Sequence, residues 1–366
     1  LPGGLANDFY FTEGLTKLWN NALMQGIAPF TSFWIRDLYG GGYPNAWSLA
    51  SLSSFLVSVI YLLFHDFFVS LKLLLFASLV LAGITSYYCG LTVTKREDAS
   101  LIFSVAYTYS SYLFAEFYFG HANLIVGVAI IPLVLALWER NIYFPNPKNA
   151  VLSTLSLILL LMTEPQLTFF VMGFLFFRFS WRLLSKPLNS NLFKRILLYT
   201  MISAVAFILL ALPVLAPFLA FYEIKRSPGE VRSYLFYPYS FFLRATQTQP
   251  GLQNIPTSMS YVGFFVLILL MIPIFLRFRY YPQEMSSSVR RALHEFPFYL
   301  AMFIFYLFLA SGWNAPVDIT DLVYCAFPFS SSIRVYSRSS ILANLSSSIS
   351  AGIGYIILTD AFARLK

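Results

Sequence analysis

Apolar runs of near membrane-spanning length recur along this chain with only short polar connections between them, and that spacing leaves few folds open. They cover roughly residues 47–64, 69–93, 99–115, 122–138, 150–163, 165–181, 196–220, 259–276, 297–311 and 339–358. Leu, Phe, Ile and Val occupy every face of these runs, so they read as membrane helices rather than as surface helices or half-buried strands. Only 11% of the 366 residues are charged, where soluble domains carry about 25%. The expected fold class is therefore an all-α membrane protein, a polytopic helical bundle. Several runs fall short of the ~20 residues that a perpendicular span needs, so tilted, broken or buried helices are expected among them.

The formal net charge of +8 does not point to nucleic acid. The basic residues sit in short connections between apolar runs, as topology signals do, and form no extended patch. Cys89 and Cys325 lie in an apolar run and in a long loop, so no disulfide framework is implied. No zinc-ligand spacing, Walker loop, G-x-S-x-G or G-x-G-x-x-G pattern is present. The aromatic share, 19%, suits interfacial belts and a bundle lined with rings.

The basic residues also orient the chain. Arg178, Arg182, Lys186, Lys194 and Arg195 crowd one connection, Arg277, Arg279, Arg290 and Arg291 another, and Arg364 and Lys366 end the sequence. Placing these inside carries Lys95, Arg96, Arg140 and Lys148 to the same face if Glu164-Pro165 is the tip of a hairpin between two short helices. Asp8, Glu13, Asp37, Asp66, Glu116, Glu164, Glu223, Glu230, Asp318 and Asp321 then fall outside. On this arrangement residues 1–46 form a first extracytoplasmic loop. Residues 47–64, with Ser48, Ser51, Ser53, Ser54 and Ser58, lie as a juxtamembrane helix in the outer interface. Residues 65–366 make a transmembrane bundle of about nine helices. A rival arrangement makes 47–64 a true span and 150–177 one helix kinked at Pro165. The opening stretch is too polar to span and has neither an initiator Met nor a signal-peptide pattern, so it is expected to follow a further helix.

Ionisable groups on the outer face are the site candidates, because charge near or within a membrane is costly to keep. Asp8, in Asn7-Asp8-Phe9-Tyr10, reads either as a solvated cap or as a general base able to deprotonate an acceptor hydroxyl. Glu116 and His121 share a short turn that either is merely wetted or projects into an outward cavity. Glu164 and Gln166 flank Pro165, a residue suited to the first position of a helix. Arg334 and Arg338 break the positive-inside expectation. They either satisfy Asp318 and Asp321 or hold a phosphate through the planar guanidinium fork.

The order of several short motifs resembles the YfhO-type branch of the GT-C superfamily of polytopic membrane glycosyltransferases. Asp8-Phe9-Tyr10, then Leu23 through Pro29, Phe33-Trp34 and Gly42-Tyr43-Pro44, is similar to that family's first outer loop. Gly120-His121 followed by Ile131-Pro132-Leu133 is similar to its "GH … PL" helix, and Tyr261-Val262-Gly263 to its "Y-x-G" entry. Pro165-Gln166-Leu167 resembles its "GHPQ" segment, with Thr163-Glu164 in place of Gly-His. Pro328 through Arg338, then Ala351-Gly352-Ile353-Gly354, resembles its "P-x-x-x-x-x-R-x-x-x-R … AGxG" region.

The resemblance implies a GT-C-like bundle in the cytoplasmic (plasma) membrane with its active side facing out. It implies transfer of a sugar from a polyprenyl-phosphate donor to an extracytoplasmic glycan, lipid or protein acceptor, with a groove open to membrane lipid. Asp8 would be the base, and Arg334 and Arg338 would hold the donor phosphate. Glu116, His121, Glu164 and Gln166 would line the sugar or acceptor pocket. No nucleotide cofactor is called for, no metal ligand set is assigned, and a divalent metal is left open. The alternatives are a lipid or solute transporter or flippase, and a non-catalytic scaffold with a GT-C-like fold.

Overall fold

The computed structural model describes residues 34–35, 43–44, 51–119, 121–185, 189–220, 263–277, 286–326 and 336–365. Two short strands, β1 (Trp34–Ile35) and β2 (Tyr43–Pro44), pair antiparallel, with Trp34 opposite Pro44. All other regular structure among the described residues is helical: α1 Ser51–Phe64, α2 Phe67–Thr94, α3 Glu97–Thr108, α4 Ser111–Phe119, α5 Ala122–Tyr143 and α6 Pro147–Thr163, then α7 Pro165–Ser185, α8 Ser190–Ala220, α9 Phe264–Arg277, α10 Ser287–Ser311, α11 Ile319–Ala326 and α12 Ser340–Leu365. Six helical stretches among the described residues are long and apolar enough to cross a membrane: Phe67–Thr94, Ala122–Tyr143, Pro165–Ser185, Ser190–Leu212, Ser287–Asn314 and Tyr336–Ala363. The chain is an all-α polytopic membrane protein.

Local chemistry explains where the helices start and stop. The Asp66 carboxylate accepts from Val69 N at 3.0 Å and caps α2, and Lys95 closes it in the left-handed region at φ 60°. Asn146 caps α6 by accepting from Asn149 N at 2.9 Å, with Pro147 in the first turn, where its missing N–H costs nothing. The run 99–115, expected as one span, is instead two helices broken at Tyr109-Ser110. The segment Tyr107-Thr108-Tyr109-Ser110-Ser111 holds only aromatic, β-branched and Ser residues, all weak helix formers. Helix α10 begins well before the apolar run at 297, taking in Arg290 and Arg291, because Ser286 caps it through Val289 N at 3.4 Å.

Glu164 and Pro165 form the tip of a hairpin. Near the start of α6, Asn149 Nδ2 donates to Phe144 O at 2.7 Å and Arg140 O at 3.3 Å. Towards the far end of α7, Arg178 bonds Glu139 and Tyr143. Both ends of the α6–α7 pair therefore lie beside the last turns of α5, which excludes the single kinked helix over 150–177. The same end collects Arg195, whose Nη2 donates to Pro145 O at 2.8 Å. Lys95 is there too: partial burial, then the Arg291 charge, lowers its ammonium pKa.

Large apolar side chains, aliphatic and aromatic, face outwards, and small side chains take many of the positions inside the bundle. Phe76, Ile84, Ile208, Leu209, Phe265 and Phe275 are exposed, while Ser346, Ser347, Ser348 and Ser350 are fully buried on α12. Small residues let membrane helices approach closely, and lipid solvates the rest. Gly354 marks the tightest approach: a Cβ there would lie 1.8 Å from Leu269 O of α9. Helix α1 follows the same rule. Ser53, Ser54 and Ser58 are buried, and Val59, Leu63 and Phe64 are exposed. These three serines, part of the ground for expecting an interfacial helix, point into the bundle instead. The length of α1, about 21 Å, still falls short of the hydrocarbon thickness.

Candidate functional site

Four segments meet at the end of the bundle opposite the basic connections. Helix α4 presents Tyr112 and Glu116 one turn apart on one face. The chain then turns back, with His121 N donating to Glu116 O at 3.1 Å. That turn brings His121 Nδ1 into a hydrogen bond with Glu116 Oε2. Two residues on, in the first turn of α5, Asn123 Nδ2 donates to Glu164 Oε2 at 2.6 Å. Glu164 is held at the hairpin tip by extended backbone, φ −152° and ψ 97°. Its other oxygen accepts from Arg338 Nη1 at 3.0 Å, and the same Nη1 reaches Gln166 Oε1 at 3.2 Å. Arg338 stands on a 3-10 turn, Tyr336–Ser339, directly before α12. The Tyr112 hydroxyl lies in the field of Glu116, Arg338 and Glu164, which joins the two halves.

The cluster sets two carboxylates against one guanidinium and one imidazole. Its carboxylates are sunk, with Glu116 only 1% and Glu164 6% exposed, while the His121 and Arg338 side chains keep 18% and 21%. Acceptors thus form the floor and donors the rim. Such a site can grip hydroxyl groups in both senses and can exchange a proton through the imidazole.

Of the residues singled out from sequence, Glu116, His121, Glu164, Gln166 and Arg338 come together here. Asp8 and Arg334 lie outside the described residues. Arg338 pairs with Glu164, 174 residues away in sequence. Glu164, which replaces His in the motif that the chain resembles, is the centre of the cluster. Tyr112 and Asn123 were not among the candidates. Their signal was spacing: Tyr112 is one helical turn before Glu116, and Asn123 shares the turn of His121. Among the described residues no group of three or more His, Cys, Asp or Glu is arranged to hold a metal ion.

A second charged network sits at the other end of α7, and sequence reading missed it. Arg178 is one of the basic residues assigned to a cytoplasmic connection, yet it is buried inside the bundle. Its Nε and Nη2 donate to the Glu139 carboxylate, the latter at 3.1 Å, and Nη1 donates to Glu295 Oε2 at 2.6 Å. The Tyr143 hydroxyl donates to Glu295 Oε1 at 3.0 Å. The guanidinium carbon lies 5.0 Å from the Phe298 ring centroid and 5.6 Å from that of Tyr299. The clue in the sequence was a charge set between aromatic residues, Phe177-Arg178-Phe179, rather than among polar ones.

No protein-family model, curated protein or solved structure matches this chain.

Proposed function

We propose that this protein transfers a sugar from a polyprenyl-phosphate carrier to a hydroxyl of an extracytoplasmic glycan, lipid or protein acceptor, with its site on the outer face of the plasma membrane. The observation that supports this reading best is the convergence of Glu116, His121, Asn123, Glu164, Gln166 and Arg338 at the end opposite the basic connections. Carboxylates and amides placed in this way match sugar hydroxyls, each of which both donates and accepts. Arg338, on the rim, stands four residues after Arg334 in sequence, and a guanidinium pair suits the phosphate of the donor. The reaction breaks the bond from the anomeric carbon to the phosphate oxygen and forms one to the acceptor oxygen. Charge grows on the departing phosphate, so fixed cations there lower the barrier. Asp8 is the proton acceptor implied by the resemblance.

The test is a transfer assay on the full chain in liposomes, with radiolabelled polyprenyl-phosphate sugars and a panel of hydroxyl acceptors. Transfer should fall about 10²–10⁴-fold in Asp8→Asn if Asp8 is the base, and about 10²–10³-fold in Arg334→Ala. The transporter reading draws on the buried Arg178 network, since ionised groups inside a membrane often mark a path for a substrate or proton. Movement of the intact donor across the vesicle without transfer would select that reading. Neither transfer nor movement would select a scaffold.

A further inference from the structure

We infer that the basic end of the bundle holds the headgroup of an anionic phospholipid, with Lys95, Arg140, Arg182 and Arg291 around its phosphate. These cations come from separate elements, and the packing of the bundle brings them to one place. Arg140, in the last turn of α5, donates through Nη1 to the Tyr88 hydroxyl of α2. Lys95 stands two turns beyond Tyr88, just past the end of α2. Arg182, in the last turn of α7, has its guanidinium carbon 4.8 Å from the Tyr143 ring centroid. The hydroxyl of that same Tyr143 donates to Glu295 of α10, and Arg291 stands one helical turn before Glu295.

These cations lack acids of their own. Glu139 and Glu295 are bonded by Arg178, and Asp98 by Arg96. Among the described residues no ion pair joins Lys95, Arg140, Arg182 or Arg291 to a carboxylate. Two carboxylates around one arginine leave a single charge in excess in the Arg178 network, enough to offset one cation of the four. Partial burial lowers the Lys95 pKa, and the Arg291 and Arg140 charges lower it further against an opposing pull from Glu139. The group is therefore close enough to repel itself, and an anion among its members relieves that repulsion. Two donors there also want an acceptor: Arg182 Nε and Trp181 Nε1 are buried without a partner. A topology signal needs only solvated charge, which the exposed Lys194 at the same end supplies. Converging guanidinium groups with open donors suit a phosphate.

The membrane side of the cluster selects a lipid over a soluble phosphate. Ile84, one turn before Tyr88 on the same face of α2, is an exposed apolar side chain, and so is Leu81 a turn earlier. They prolong the line from the Arg140–Tyr88 bond into the hydrocarbon. Phe144 and Leu184, close in sequence to Tyr143 and Arg182, are exposed as well. An acyl chain can lie along that strip while its headgroup meets the cations. Basic pockets between membrane helices take anionic headgroups in this way.

Thermal unfolding of the full chain in uncharged detergent tests the site, with dioleoylphosphatidylglycerol or dioleoylphosphatidylcholine titrated in. A ligand that binds only the folded chain raises its Tm. The glycerol lipid should raise Tm to a plateau, and the choline lipid, which has no net charge, should not. Arg140→Gln and Arg291→Gln should each raise the half-saturating concentration about fivefold, the worth of one basic residue beside a charged headgroup. Lys194→Gln, at the same end but outside the cluster, should leave it unchanged. An equal rise with both lipids, or none with either, overturns the site, and that comparison needs no variant to fold. Folded Arg140→Gln and Arg291→Gln proteins that saturate like the parent place the lipid elsewhere. Equal losses in Lys194→Gln and Arg140→Gln overturn the site in favour of general attraction to a basic surface. Glycerol 1-phosphate that saturates as readily as the lipid makes the ligand a soluble phosphate ester and overturns the lipid assignment. Each of these outcomes leaves the sugar-transfer reading as it stands.

Discussion

The two charged networks at opposite ends of α7 are built from the same residue types and differ in what they leave open. Glu164 and Arg178 are fourteen positions apart on or beside that helix, about 21 Å along its axis. At one end, Arg178 meets Glu139, Glu295 and Tyr143, with side chains of Arg178 and the two acids only 2%, 2% and 7% exposed. Two aromatic rings cover the guanidinium. At the other end, Arg338 meets Glu164 and Gln166 but stays 21% exposed, and the His121 imidazole is also partly open. A buried arginine whose nitrogens are all engaged by its own chain has nothing left for a ligand. It ties α5, α7 and α10 together. A half-open arginine of the same chemistry can exchange a protein carboxylate for a substrate group.

That contrast can be broken most directly at the closed end. Arg178→Ala would leave two buried carboxylates without their cation, and breaking a buried pair costs about 3–5 kcal/mol. Unfolding in detergent should show a loss of that size. Arg178→Met combined with Glu139→Gln and Glu295→Gln should recover much of it, because the uncompensated charges are gone. If Arg178→Ala unfolds like the parent, the network is not a staple.

At the open end the balance should reverse. Glu164→Gln keeps the shape and removes one charge, and it leaves one acceptor oxygen where two accepted from Asn123 and Arg338. Stability should fall by clearly less than in Arg178→Ala, because Arg338 is 21% exposed and keeps part of its solvation, whereas kcat/KM for sugar transfer should drop by tenfold or more. Equal losses in both measurements would make this end a second staple.

Access to reagents sharpens the same comparison. In a Cys325→Ser background, single cysteines beside Glu116 or Glu164 should react with an impermeant thiol reagent added outside cells, and one beside Lys95 should not. Cys89 is buried and should stay silent. The opposite pattern would invert the membrane orientation on which the sugar-transfer reading depends.

The smallest effect belongs to a third ion pair, Arg96–Asp98, which is solvated, with side chains 29% and 40% exposed. Its hydrogen bond from Arg96 lowers the Asp98 pKa. The pair's contribution is therefore present above the ordinary aspartate range and fades as pH falls through the depressed value. Asp98→Asn should cost well under 1 kcal/mol at neutral pH, as exposed pairs do. A loss approaching that of Arg178→Ala would mean that burial is not what separates these pairs.

Much of this architecture was legible in the residues themselves. Long runs with Leu and Phe on every face must be membrane helices. The ionisable groups at the end opposite the basic connections, Glu116, His121, Glu164 and Arg338, stood out because charge among apolar runs is costly. Helix α1 shows the limit of the same reasoning. Its serines were visible, but which way they faced depended on whether lipid or protein lay opposite.

What the chain could not declare by itself is which of its charges would meet. Glu164 and Arg338 are 174 positions apart, and Arg178 and Glu295 are 117 apart. Helix existence follows from period and composition within a few turns, so a local pattern is enough. A contact between distant helices depends on how α5, α7, α10 and α12 pack, on the close approach that Gly354 permits, and on where the α6–α7 hairpin turns. Those are properties of the whole bundle, and only the tertiary structure decided that one arginine is sealed in while another is left at the rim.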